Sequence, residues 1–150
     1  MINLLDYSNI NTTVINEKSH LTGDMHVKSS LDLAGQIDGN LQVDGLLRIR
    51  GKVTGNVEAM DILMMRESQI EGDVEAYAQI QQDSESIITG NVIAESADMA
   101  GLVEGNITVN NALHLRQGAL IKGDITARSF WFEPGVRVEG RMKTTYKPVI

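Results

Sequence analysis

The chain has 150 residues and a mass of 16.4 kDa, room for one ordinary domain, and its 20 acidic against 13 basic residues leave a net charge of −7. That balance argues against nucleic acid as a main partner, because phosphate binding needs clustered Lys and Arg; the absence of cysteine excludes disulfides, thiol catalysis, Cys-based zinc sites and iron–sulfur clusters. Aromatics make up 4% of the chain against 14 glycines, so the core is expected to be built from Val, Ile, Leu, Met and Ala rather than from large rings.

In chain order, residues 1–12 read as a tail. Their start, Met1-Ile2-Asn3-Leu4-Leu5, is apolar but short and has no basic region before it, so neither a signal peptide nor a membrane span is expected. A soluble chain in a reducing compartment is the expectation. From residue 13 onward glycine sets the elements. One series runs Gly23, Gly39, Gly55, Gly72, Gly90, Gly105, Gly123 and Gly140, in steps of 16, 16, 17, 18, 15, 18 and 17 residues, and all but the last are followed by Asn or Asp. A second series runs Gly35, Gly51, Gly101, Gly118 and Gly135, with gaps near Ser68 and Glu85. Two punctuation columns in phase mark an internal repeat.

Between the columns apolar residues alternate, as in Ile37-Asp-Gly-Asn-Leu41-Gln-Val43 and Val103-Glu-Gly-Asn-Ile107-Thr-Val109. A further short alternating segment follows, as in Leu47-Arg-Ile49, Leu113-His-Leu115 and Phe130-Trp-Phe132. Period 2 over such short stretches means strands with one buried face, and no window sustains a helical stripe across the glycines. Three short strands and three corners per 16–17 residues describe an all-β fold, a single-stranded parallel β-helix over residues 13–143 with a tail at 144–150. Gly at each corner supplies left-handed backbone without steric cost, and the Asx residues beside it tolerate that region.

The residues offer little foothold for catalysis. His20, His26 and His114 fall in different coils, with no H-x-H or H-E-x-x-H spacing, and read as surface histidines. No calcium nonapeptide, Walker A or G-x-G-x-x-G motif occurs, so no metal, nucleotide or other cofactor is expected. Asp38, Glu71, Glu104 and Glu139 share the column before glycine with Lys122, which a solvated face explains; an acidic stripe selecting a basic partner tail is the alternative.

The ends carry more. A solenoid exposes unpaired backbone and an open apolar core at both termini unless it is capped, and neither tail is long enough for an obvious capping helix. Phe130-Trp131-Phe132 holds both Phe and the only Trp, in the last full coil; alternation points Phe130 and Phe132 inward and Trp131 outward. The tripeptide reads either as a plug closing the core or as a plug that is also a polymer interface. Val14, Ile15 and Leu21 of the first coil are the corresponding candidates at the other end.

The unit G-[ND]-[IV]-x-A with its alternating corners resembles the bactofilin family. The segments that carry the likeness are Gly90-Asn91-Val92-Ile93-Ala94-Glu95 through Gly101-Leu102-Val103-Glu104-Gly105-Asn106-Ile107, and Phe130 through Gly140. Thr13-Val14-Ile15 with Leu21-Thr22-Gly23-Asp24 is similar to the family's first coil. The resemblance implies a right-handed, triangular β-helix that polymerises end to end into nonpolar filaments without nucleotide. It implies a cytoskeletal scaffold in the cytoplasm, with itself as first partner and with cell-wall or morphogenesis proteins as others. It also implies a contact with the inner face of the membrane through Met1, Ile2, Leu4 and Leu5. Against that contact, no Lys or Arg precedes Lys18 and Asp6 opposes anionic lipid, so a tail packed on the first coil stays open. The competing class is a solenoid acyltransferase acting as a trimer; steps of 15 to 18 break the strict hexapeptide register such enzymes keep. A carbohydrate-processing or adhesive β-helix is the third class, usually exported and built with longer coils and site-bearing loops.

Overall fold

From Leu41 to Phe132 each coil contains one long strand that bends and one short strand, while the coil before Leu41 has two separate strands, Met25–Val27 and Ser30–Leu33, in place of the long one. In the coil after Gly39, Leu41–Ile49 bends between Val43 and Leu46, where the pairing register shifts, and Lys52–Thr54 follows it. The bend divides the long strand in two, so a coil has three straight segments, as its three apolar alternations anticipate. The structure, a computed structural model, describes residues 12–145. Among these residues there is no helix, and every strand pairing is parallel. The six long strands, with Thr12–Ile15, Met25–Val27, Ser30–Leu33 and Met142–Thr144, stack into a 10-stranded sheet and the other short strands into an 8-stranded sheet, each interior strand pairing with its equivalents one coil before and one coil after. The first strand is Thr12–Ile15 and the last is Met142–Thr144.

The drift in coil length, from 15 to 18 residues, resolves into two binary choices. Long strands have either 8 or 9 residues, the extra one sitting in the bend, as in Val57–Met64 against Val74–Gln82. The corner that follows is either tight, as Ala34-Gly35, Arg50-Gly51 and Ala100-Gly101, or wide, as Met65–Ser68, Asp83–Ser86, Arg116–Ala119 and Glu133–Val136. The coil starting at Val92 has the short strand and the tight corner and is the 15-residue coil; the coils starting at Val74 and Ile107 have the long strand and the wide corner and take 18 residues.

The second glycine column therefore has two causes. At the tight corners a Cβ on Gly35, Gly51 or Gly101 would strike a carbonyl oxygen of the coil below. At the wide corners Gly118 and Gly135 have φ of 94° and 91°, a region that disfavours other residues. The two gaps are wide corners where Glu67 and Glu85 take that left-handed place with φ of 67° and 64°. Both gaps end on a fully buried serine whose hydroxyl donates back across the turn: Ser68 Oγ to Met65 O at 2.7 Å, Ser86 Oγ to Asp83 O at 2.6 Å. A side-chain hydrogen bond closes the turn where glycine is missing.

The core is a set of stacked columns. Ile37, Val53, Ile70, Ile88, Val103 and Ile121 lie one above another on the short strands, each with 0% exposure. Fully burying each such side chain contributes about 1.5–3 kcal/mol. One column contains a polar residue. Gln82, fully buried, stands between Met64 and Met99. Its Nε2 donates to Leu102 O at 3.1 Å and to Ser86 O at 3.3 Å, and its Oε1 accepts the Gly101 N–H at 3.3 Å. Arg116, two coils away from Gln82, donates from Nη2 to Gln82 O at 3.0 Å while its Nε holds Asp98 at 2.6 Å. Both side chains bridge the step where the tight corner Ala100-Gly101 lies between two wide ones. Gln82→Leu should therefore cost about 1–3 kcal/mol in urea unfolding despite adding an apolar group to the core, because the buried Gly101 N–H loses its acceptor. An unchanged or increased stability would show that the bridge is dispensable.

Candidate assembly surfaces

Each end of the rod interrupts these columns. At the C-terminal end Phe130 stacks on Leu113 and Phe132 on Leu115, both partly buried against the core, with their ring centroids 5.6 Å apart. Val136 and Val138 also pack on the core only partly, and Met142, above Ile125, is 53% exposed. At the N-terminal end Ile15 lies over Leu33 and is buried, Leu21 lies against Ile37 and is 41% exposed, and Met25 is half-buried against Leu41. Val14 is exposed for another reason: it pairs with Asp32, in an outward column of the sheet. Met1, Ile2, Leu4 and Leu5 lie outside the described residues. The sequence reading missed Met25, Val136, Val138 and Met142; each sits at an inward position of a terminal coil, which the alternation alone could have shown.

The corner beside the main glycine column forms a hydrogen-bonded ladder. Asp24 Oδ1 accepts the backbone N–H of Asn40 at 3.0 Å, and Asn40 Oδ1 accepts that of Asn56 at 3.0 Å. The chain of bonds continues through Asp73, Asn91, Asn106 and Asp124 at 2.9–3.0 Å and ends on the N–H of Arg141. Asn and Asp therefore alternate freely along the column: only the side-chain oxygen is used. Arg141 closes the ladder with a group that can donate but not accept. The glycines of this column stack directly. A Cβ on Gly39, Gly55, Gly72, Gly90, Gly105, Gly123 or Gly140 would overlap the carbonyl oxygen of the glycine below, whereas one on Gly23, at the start of the column, meets nothing within 4 Å.

Trp131, 68% exposed, points outward from the last long strand, and its ring stacks on His114 with centroids 4.6 Å apart and planes at 13°. His114 is thus half-buried beneath an aromatic lid, with Asp98 and Glu133 each 3.9 Å from one of its ring nitrogens. The other two histidines are exposed and pair with carboxylates: His20 Nε2 lies 2.6 Å from Asp38 and His26 Nε2 lies 2.9 Å from Asp44. The hydrogen bond from His20, with a second from Gln36, holds the Asp38 carboxyl below its ordinary range. A hydrogen bond to Glu85 at 2.9 Å raises Arg66. Among the described residues no group of three or more His, Asp and Glu is placed to hold a metal ion.

Charge is segregated along the rod. Residues 57–106 carry Glu58, Asp61, Glu67, Glu71, Asp73, Glu75, Asp83, Glu85, Glu95, Asp98 and Glu104 against Arg66 alone. Residues 107–145 carry Arg116, Lys122, Arg128, Arg137, Arg141 and Lys143 against Asp124, Glu133 and Glu139. Within the acidic zone Met60, Tyr77 and Ile93 are exposed. The charges of Glu58 and then Glu75 push the Tyr77 phenol above its ordinary range, and its hydroxyl lies 3.4 Å from Glu58.

A model of the bactofilin family, described as polymer-forming cytoskeletal, matches residues 64–143. No curated protein and no solved structure matches the chain. The matched stretch takes in the coils from Met64 to the last, including the aromatic tripeptide and the end of the ladder.

Proposed function

The chain belongs to the bactofilin family of polymer-forming cytoskeletal proteins, and from that premise we propose that it is a scaffold that assembles end to end into filaments without nucleotide. The observation that carries this reading is the pair of open core faces, where Leu21 at one end and Met142, with the Phe130–Phe132 pair behind it, at the other are left part-exposed. Apolar columns that end unburied gain about 25 cal/mol per Å² when another end covers them. The filaments are nonpolar, C-terminal face meeting C-terminal face and N-terminal face meeting N-terminal face. The donor-only Arg141 supports this, since it interrupts the corner ladder that a head-to-tail contact would otherwise continue. The scaffold acts in the cytoplasm as a structural protein rather than an enzyme, and positions cell-envelope or morphogenesis factors. Met1, Ile2, Leu4 and Leu5 attach it to the inner face of the membrane.

Electron microscopy of the purified chain in EDTA without nucleotide tests the assembly. Unbranched filaments are expected; discrete trimers would instead favour an acyltransferase-like solenoid. Co-sedimentation with vesicles, comparing the full chain with one lacking residues 2–6, tests the membrane contact, and equal pelleting would remove it.

A further inference from the structure

We infer that one flat face of the rod is a self-complementary lateral docking surface, on which a second copy of this chain lies antiparallel. The face is the outer side of the first half of the long strands. Three outward columns run along it. The middle column reads Glu58, Glu75, Ile93, Thr108, Thr126 and Lys143, stacked in register from coil to coil. On one side is the corner ladder from Asp73 through Asn106 to Arg141. On the other are the residues that follow the inward Ala76, Ala94, Val109 and Ala127, namely Tyr77, Glu95, Asn110 and Arg128.

The order of charges along these columns identifies the occupant. A two-fold axis lying in the face, perpendicular to the rod and level with Thr108, sets every column opposite itself with its levels reversed. Counting coils outward from Thr108 in the registers above, Glu75 then meets Lys143, Asp73 meets Arg141 and Glu95 meets Arg128. Symmetry makes each of these pairs twice, as an isologous contact requires. The centre is neutral and polar, with Asn106, Thr108 and Asn110 each facing its own copy. Ile93 lies opposite Thr126, and no like-charged residues of these columns are opposed. The cations are available: Arg128, Arg141 and Lys143 are exposed, and none has an ion-pair partner among the described residues. The exposed Tyr77 and Ile93 supply apolar area inside the charged frame, the composition expected of a specific contact rather than of a merely solvated face.

This contact goes beyond the end-to-end reading and does not depend on it. It would join neighbouring filaments side by side, through charges screened by salt, whereas the junctions at the ends are apolar.

Because the chain has no cysteine, Thr108→Cys places a single thiol on the proposed axis. Mild oxidation is expected to give a disulfide-linked dimer rapidly at low ionic strength and slowly at high ionic strength, while Lys122→Cys, on another face, links slowly at both. Adding Glu75→Lys and Glu95→Lys to the Thr108→Cys chain should slow linking by about tenfold or more, as several opposed pairs become repulsive. Adding Arg128→Glu and Lys143→Glu instead should do the same. Mixing the two reversed chains should restore linking, now between unlike chains. Equal linking at positions 108 and 122, or no recovery on mixing, overturns the proposal. So does unchanged linking in a chain whose Arg128→Glu and Lys143→Glu changes abolish binding to phosphatidylglycerol vesicles, since the cations would then serve a lipid surface. Linking is read whether or not filaments form, so their absence would count against end-to-end assembly alone.

Discussion

Gly105→Ala is expected to destabilise the rod by more than about 3 kcal/mol, while Gly23→Ala in the same column costs about 1 kcal/mol. The two positions share a sequence context and a positive φ, 157° and 117°. They differ in what lies beneath. A methyl on Gly105 would occupy the space of the Gly90 carbonyl oxygen, with the Asn91 nitrogen 3.1 Å away, and neither is a side chain that can swing aside. Those two coils would have to separate, which disturbs the Gly90 N–H to Glu104 O bond and the Asn91–Asn106 rung together. A methyl on Gly23 meets nothing within 4 Å and carries only the conformational cost. Urea unfolding followed by circular dichroism measures both. Equal losses would mean that the column is conserved in the repeat for its turn geometry and not for stacking.

Phe130→Arg is expected to abolish filaments and leave a folded, β-rich monomer. Phe130 lies over Leu113, partly buried at the last complete coil, where an arginine can keep its stem on the core and extend its guanidinium past the open end. Folding then survives, but any partner covering that face must bury a charge without a counter-ion, a cost of several kcal/mol. Sedimentation velocity with circular dichroism separates the outcomes. Unchanged filaments would place the junction elsewhere. If the variant unfolds, Met142→Arg repeats the test at a side chain already 53% exposed, where folding is less at stake. Trp131 makes a useful contrast, because it points away from the axis and lies flat on His114. Trp131→Ala should leave end-to-end assembly intact.

Much of the fold was legible because stacking constrains the backbone itself. At the main corner only glycine avoids the carbonyl below, so the period is written in a single residue type from Gly39 to Gly140. Alternation then places Phe130 and Phe132 inward and Trp131 outward from the residue order alone. Less of the rest could be read. The uneven coil lengths looked like drift, and the second glycine series looked like one column with two members missing. Strand length and corner width vary independently, so their combined effect on spacing hides both. Glu67 and Glu85 occupy left-handed positions that nothing local announces, and the serines that close those turns, Ser68 and Ser86, read only as gaps.

The candidate assembly surfaces were legible in part. Phe130 and Phe132 stood out because rings are scarce, whereas Met142 and Val138 were hidden among ordinary apolar residues of the repeat. The bridges made by Gln82 and Arg116 span 20 and 34 residues and exist only because a tight corner happens to lie between two wide ones. The pairing of Glu75 with Lys143 across two copies likewise needs the coil count between them, which uneven steps obscure.

By itself, then, the sequence determined a stack of short parallel strands around an apolar, aromatic-poor core with glycine corners. Those features follow from contacts between equivalent positions one coil apart, and a repeat makes such contacts periodic. Only the tertiary structure decided which corners are tight, how Gln82 is satisfied, where the Asx ladder stops and which charges share a face. Each of these depends on how many residues lie between two points on the rod rather than on what those residues are.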